Sequence, residues 1–288
     1  MTILGNSIFK RLSSLPVLLL IGSMCSLSIG TSLAKQLFPA IGAEGATALR
    51  LTYATIILCI VFRPWRYQFN KKDLSIIIPY GIALGGMNLS FYKSLETIPF
   101  GVSVALEFVG PLTLAIFSSR RYVDYFWILL VVVGLALLLP LHSDLQTLKF
   151  KGVTFALLAG GFWAVYIIFG KKCSSINANQ AITEGMTVAT ILALPFALYH
   201  SGLLIFSYSY LPIGLVAAVL SSAVPYTLEM LALKKLSRKN FSILLSLEPV
   251  ICAIAGIFLL HEWLSISDWI AILLIIIASV GSVRVKQL

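Results

Sequence analysis

Residues 124–141 read DYFWILLVVVGLALLLPL, and the only charged residue is the first. Nothing in the stretch alternates polar with apolar at period two. At 1.5 Å per residue it reaches across most of a hydrocarbon core about 30 Å thick. Inside lipid every backbone N–H and C=O must find an internal partner, so only helices and closed barrels cross. Barrel strands alternate and are shorter, so the stretch predicts a helix. Having no polar face, it predicts a helix at the periphery, turned to lipid.

Outward from this stretch the pattern recurs. Apolar runs of spanning length occupy 16–37, 43–62, 74–94, 99–118, 124–141, 152–171, 179–199, 211–232, 241–260 and 267–284. The chain of 288 residues is 59% hydrophobic and 11% charged, against about 25% charged in a soluble domain. A chain of this length has no core large enough to bury that apolar surface, so much of it faces lipid. The expected fold is an all-α integral membrane protein with ten transmembrane helices. Connections are short, which leaves no room for a soluble domain. Lys10, Arg11, the run from Leu15 and the small residues Ser32-Leu33-Ala34 have the outline of a signal peptide. The run is long for one, and its counterpart recurs later, so it is read as the first span.

The net charge of +10 does not point to nucleic acid, because the basic residues sit in short loops between apolar runs. With the N-terminus inside, sixteen of the 21 Lys and Arg fall on the inner side, and Lys35, Lys93, Lys149 and Lys151 on the outer. Arg50 is left within a span. The positive-inside rule then predicts N-in, C-in topology. Cys25, Cys59, Cys173 and Cys252 form no CxxC pair, so neither a disulfide framework nor a zinc site is indicated. No cofactor is expected.

The two halves echo each other. Glu44-Gly45-Ala46-Thr47 opens the second run and Glu184-Gly185-Met186-Thr187 the seventh; Ala105-Leu106-Glu107 lies in the fourth and Ser246-Leu247-Glu248 in the ninth. The offsets are 140 and 141 residues. This predicts two five-helix repeats, 1–145 and 146–288. Five is odd, so the repeats insert with opposite orientation. Inverted repeats build alternating-access carriers with a site near the midplane.

Ionisable groups within spans are costly, at least ~2.5 kcal/mol each at the bilayer centre, so they mark cavities or partners. Arg50, Glu107, Glu229 and Glu248 qualify. Lys93, Glu44, Glu96, Glu184 and Glu262 lie near span ends, where snorkelling to the interface is the expected fate. Pro111 frees the carbonyl of Glu107 and Pro249 that of Leu245. Ser222, Pro225, Tyr226 and Glu229 share one helical face, as do Gly85, Asn88 and Tyr92. The competing reading for these groups is a polar network that only pins helices together. Arg50 could clamp a carboxylate, pair with Glu107 or reach the outer interface. Gly22, Ser26 and Gly30 form a small-residue face for close helix contact. Trp163 and Tyr166, beside Gly160 and Gly161, are candidates for aromatic cavity lining. The expected substrate and proton pathway is thus Glu107, Glu229, Glu248, Asn88, Arg50, Tyr226, Trp163 and Tyr92, with helix breaks at Pro111, Pro225 and Pro249.

An intramembrane enzyme would need a constellation that is missing. There is no HExxH, GxSxG, paired-Asp or P-loop motif, and His142, His200 and His261 are scattered.

The stretch Ala159-Gly160-Gly161-Phe162-Trp163-Ala164-Val165-Tyr166, the Leu247-Glu248-Pro249 triplet and the ten-run repeat resemble the drug/metabolite transporter superfamily, EamA type. Gly85–Asn88, Ala105–Leu112, Phe117–Arg121 and Pro225–Met230 resemble, within it, bacterial inner-membrane exporters of small neutral amino acids such as threonine and homoserine. The resemblance implies efflux driven by the proton-motive force through a cavity lined by both repeats. Export of other metabolites or of drugs is the alternative within the superfamily. The implied partners are a small-molecule substrate and the lipid bilayer, with no nucleic acid; oligomerisation leaves no signature in the sequence.

Overall fold

A computed structural model of the chain describes residues 2–66, 71–98, 100–119, 121–138, 150–252 and 266–284. His142, His261, Glu262 and the ends of the fifth and ninth apolar runs lie outside the described residues.

Among the described residues every regular element is helical. In chain order they are α1 Thr2–Lys35, α2 Phe38–Phe62, α3 Lys71–Ser94, α4 Phe100–Glu107, α5 Val109–Ser118, α6 Tyr122–Leu138, α7 Phe150–Lys172, α8 Ala178–Ser201, α9 Leu211–Ala218, α10 Val224–Lys235, α11 Arg238–Leu245, α12 from 247 and described to 252, and α13 Ile266–Arg284. Six helical stretches are long and apolar enough to cross a membrane: Leu15–Lys35, Phe38–Phe62, Lys71–Ser94, Phe150–Ser175, Ala178–Phe206 and Tyr208–Lys235. Shorter apolar helices cover Ser103–Ser118, Tyr122–Leu137 and Trp269–Ala278. The chain is therefore an all-helical membrane protein.

Three of the apolar runs are interrupted, each just before a proline. α4 gives way to α5 at Phe108, three residues before Pro111; α11 gives way to α12 at Ser246, three before Pro249. Between α9 and α10 a π-helical turn, Val219–Ala223, precedes Pro225. The cause is common to all three. A proline ring clashes with the preceding turn and supplies no N–H, so the carbonyl four residues back loses its helical partner.

Small residues decide how closely the helices meet. α1 packs on α10 and the π turn, and a Cβ at Gly30 would lie 2.4 Å from the Ser221 nitrogen. Ser26 Oγ in the same face donates to Leu220 O at 2.6 Å. α3 lies along α7 and α8, and α2 along α8 and α9. α5 crosses α7 with Gly110 against Gly160, where a Cβ at position 110 would come within 1.8 Å of the Gly160 oxygen. α6 and α13 pack on each other at the edge and expose Phe126, Leu129, Leu273 and Ile277, as expected of lipid-facing helices.

Three of the charged span-end groups do not simply snorkel. Lys93 Nζ sits 2.5 Å from Glu44 Oε1 and 3.0 Å from Glu96 Oε2, tying α2 to the end of α3. Just before Glu44, Gly42 takes φ +67°, which only glycine adopts without strain.

Candidate functional site

Several buried polar groups converge on one cavity. It is reached from α1, α2, α3, α4, α7, α10 and α12, and the expected pathway residues Arg50, Asn88, Tyr92, Glu107, Trp163, Tyr226, Glu229 and Glu248 all line it. The open space is about 40 Å³. At roughly 10–15 Å³ per water this holds a few waters and no amino acid. The polar centre is thus preformed, with little open space around it.

Arg50 stands at that centre, 1% exposed. Nη1 donates to Ser221 O at 2.8 Å, to Ser222 Oγ at 2.8 Å and to Ser221 Oγ at 3.1 Å. Nη2 donates to Asn88 Oδ1. The guanidinium lies over the Tyr92 ring, 4.4 Å from its centroid, a stacking favourable for Arg. Nε has no partner. No carboxylate forms a salt bridge with Arg50 among the described residues. It neither pairs with Glu107 nor reaches the outer interface. Neutral oxygens hold it, and its charge remains available.

The Ser221 carbonyl is free to accept because Pro225, four residues on, has no N–H to offer it. The proline thus produces an acceptor for Arg50. Pro225→Ala supplies the missing N–H and lets the helix reclaim that carbonyl. The expected result is folded protein with substrate affinity weakened about tenfold, the worth of one charge-assisted hydrogen bond. Transport kinetics against substrate concentration check it.

Asn88 is oriented by three contacts. Its Oδ1 also accepts from Tyr226 Oη at 2.9 Å, and its Nδ2 donates to Leu84 O at 2.7 Å. Glu229, 3% exposed, accepts from Ser23 Oγ at 2.9 Å and from Tyr166 Oη at 3.0 Å. Glu107 and Glu248, 7% and 8% exposed, have no hydrogen bond to any described residue. Their carboxyls face the cavity. Trp163 closes one wall and meets Phe108 edge-on, with centroids 6.2 Å apart.

Three carboxyls therefore share a buried space with one guanidinium. If all were ionised, two negative charges would remain uncompensated at low dielectric, which costs several kcal/mol per charge. Bound protons or a cationic ligand can supply the missing charge.

Sequence reasoning missed several members. Ser23 and Ser221 hold Glu229 and Arg50 but carry no charge to mark them. The position of Ser221, four before a proline, was the available signal. Phe91, Phe100 and Val104 line the cavity as ordinary apolar residues. Of Gly85, Asn88 and Tyr92, which share a face of the continuous helix α3, Asn88 and Tyr92 line the cavity, while a Cβ at Gly85 would meet Ala189 of α8. Among the described residues no cluster of His, Cys, Asp or Glu could hold a metal, and the four cysteines are free.

Comparison with known proteins gives the family. The model of the EamA-like transporter family matches residues 150–284. The threonine/homoserine exporter RhtA of Salmonella typhimurium strain LT2 is 45% identical over 268 residues, 93% of this chain and 91% of its own length. That of Escherichia coli strain K12 is 43% identical over the same shares. A solved crystal structure superposes with a TM-score of 0.71 over 93% of this chain and 98% of its own; at 15% identity the likeness is one of fold alone. Near-complete coverage by curated exporters, together with the family match over the C-terminal half, leaves one assignment: the chain belongs to the EamA-like transporter family.

Proposed function

We propose that the chain exports small neutral amino acids of the threonine and homoserine class across a bacterial inner membrane, in exchange for protons, by alternating access. The observation that carries this reading is the charge composition of the cavity, three carboxyls to one guanidinium, in a chain 43–45% identical to threonine/homoserine exporters. A free amino acid presents an ammonium and a carboxylate. Glu107 and Glu248 suit the first, and Arg50, with its Nε unpartnered, suits the second. Proton and ammonium compete for the same carboxyls. Substrate arriving from inside displaces protons, and protons arriving from outside displace substrate, which couples export to the proton gradient without a separate ion site.

The proposed frame is ten spans in two inverted repeats, 1–145 and 146–288, with both ends inside. The helix contacts support it. Inversion exchanges the first span with the sixth and the third with the eighth, so α1 against α10 should be mirrored by α7 against α3. Both pairs pack closely, and the self-paired contacts α2·α8, α5·α11 and α6·α13 are present too. The interruptions at Phe108, the π turn and Ser246 lie beside the cavity, where short helices can pivot to enlarge it.

Counterflow in proteoliposomes tests the assignment. Vesicles preloaded with unlabelled threonine or homoserine should accumulate labelled threonine from outside. Glu107→Gln and Glu248→Gln should reduce it about 100-fold, because an amide cannot neutralise an ammonium. Absence of exchange by folded wild-type protein would remove the amino-acid assignment and favour export of other metabolites or drugs.

A further inference from the structure

Beside Glu229 the interior holds a polar column that substrate binding does not use. Tyr166 Oη, on α7, donates to Glu229 Oε2 at 3.0 Å. The Tyr166 ring stacks on Tyr80 of α3, with centroids 5.1 Å apart and planes 27° from parallel. Tyr80 is 0% exposed. Its hydroxyl interacts with that of Tyr166 but makes no hydrogen bond of good geometry to any described residue. Tyr80 does not line the cavity.

The ring is held by shape. A Cβ at Gly185 would lie 2.4 Å from the Tyr80 ring, and one at Gly170 would lie 3.3 Å from it. Both glycines leave a slot that an aromatic ring fills. A leucine or phenylalanine would fill such a slot with no polar atom to satisfy, and burying an unsatisfied hydroxyl costs about 1–3 kcal/mol. A phenol kept there at that cost calls for a reason.

The column's direction supplies one. In the N-in topology α3 rises from Lys71 and Lys72 on the inside, while α7 and α10 descend to Lys171, Lys172, Lys234 and Lys235. Tyr166 is level with Glu229, each six residues from the inner end of its helix, and Tyr80, beside Gly170 and Cys173, lies between Tyr166 and the inner surface. The groups facing Tyr80 are Tyr166 and Cys173 from the α7 side and Glu229 and Tyr226 from α10; α8 meets it with Gly185. Cys173 is itself close enough to interact with Lys234 and with the half-buried Asp73. Facing Glu229 are Ser23, Tyr166, Glu107 and Glu248.

We propose that Tyr166 and Tyr80 form the inward proton relay of the transporter, carrying to the cytoplasmic side the proton that Glu229 takes up from the cavity. The proposal rests on the proton-coupled reading above. Protonated Glu229 gives its proton to the Tyr166 oxygen as the Tyr166 hydroxyl proton passes to the Tyr80 oxygen. The Tyr80 proton leaves to water on the Cys173 side. Each phenol gains one proton and loses one, so neither is left charged. Substrate takes a different route, since no amino acid can pass a ring clamped between two glycines.

Tyr80→Phe separates the two traffics, because it keeps the ring in its slot and removes only the hydroxyl. In proteoliposomes holding a trapped pH-sensitive dye, two rates are measured on each protein: threonine counterflow with no pH gradient, and threonine flux driven by an imposed gradient with its accompanying proton movement. Counterflow by Tyr80→Phe should stay within about twofold of wild type, and gradient-driven flux and proton movement should fall at least about tenfold, a conservative share of what a positioned proton-transfer group contributes. Unchanged gradient-driven flux in Tyr80→Phe overturns the relay. An equal fall in both rates also overturns it and assigns Tyr80 to packing. A wild type that performs counterflow but ignores the gradient refutes proton coupling itself, a failure distinct from that of Tyr80.

Discussion

Arg50→Lys should abolish measurable transport while the protein still folds and inserts. Arg50 makes its contacts as a fork. One nitrogen reaches Ser221 and Ser222 of the π turn, the other reaches Asn88 of α3, and the plane lies on Tyr92. A lysine ammonium is a point donor on a flexible stem. It keeps the positive charge, so the carboxyls are not left with an uncompensated buried excess greater than before. It cannot span Ser221 and Asn88 together, nor stack as a guanidinium does. Losing two charge-assisted bonds at about 1.5–3 kcal/mol each corresponds to a loss of 100-fold or more in transport. Arg50→Met should go further and reduce the yield of folded protein, because it strands Asn88 and both serines as well as three carboxyls. Counterflow by the purified variants, with monodispersity in detergent as the folding control, checks both. Normal transport by Arg50→Lys would remove the guanidinium from the substrate site.

Gly110→Ala should leave little folded transporter. The Cβ it adds would sit 1.8 Å from the Gly160 oxygen and 2.3 Å from its carbonyl carbon. Both are backbone atoms in the middle of α7, so no side chain can swing aside. α5 would have to move off α7 by more than an ångström. That motion would carry the α4–α5 interruption, and Glu107 with it, out of the cavity wall. Gly160→Ala meets the same contact from the other helix, 2.4 Å from the Glu107 oxygen, and should fail likewise. Overpacking commonly costs about 1–3 kcal/mol; with immovable backbone on both sides the cost here should reach or exceed the top of that range. Gly161→Ala is the control, because nothing lies within 4 Å of a Cβ there. Thermal stability in detergent should rank Gly161→Ala with wild type and place the other two far below. Equal stability of Gly110→Ala would mean that α5 and α7 are not in backbone contact.

Helix class was legible in the sequence because apolar runs without period-two alternation have one solution in lipid. Run length marked most of the ends, yet it showed the fourth, eighth and ninth runs as continuous. There the backbone is interrupted in the turn before Pro111, Pro225 and Pro249, whereas Pro16, Pro79 and Pro195 lie inside continuous helices, so neither hydropathy nor proline alone marks the breaks. Pathway candidates were legible for a similar reason. A charged group in an apolar run is rare enough to announce itself, so Arg50, Glu107, Glu229 and Glu248 stood out. Tyr80, Ser23 and Ser221 did not, since a tyrosine or serine within a membrane helix is common and its meaning depends on what faces it.

The amino-acid sequence by itself determined that the chain is a bundle of membrane helices and which few residues would be costly to bury in it. Both follow from local terms, the transfer free energy of each side chain and the length of each run. Only the tertiary structure decided that Arg50 is held by neutral oxygens rather than by Glu107, that Gly110 meets Gly160 backbone to backbone, and that Tyr80 stands in line with Tyr166 and Glu229. These are contacts between helices distant in the chain, set by rotation and closeness of approach, which no run of hydropathy encodes.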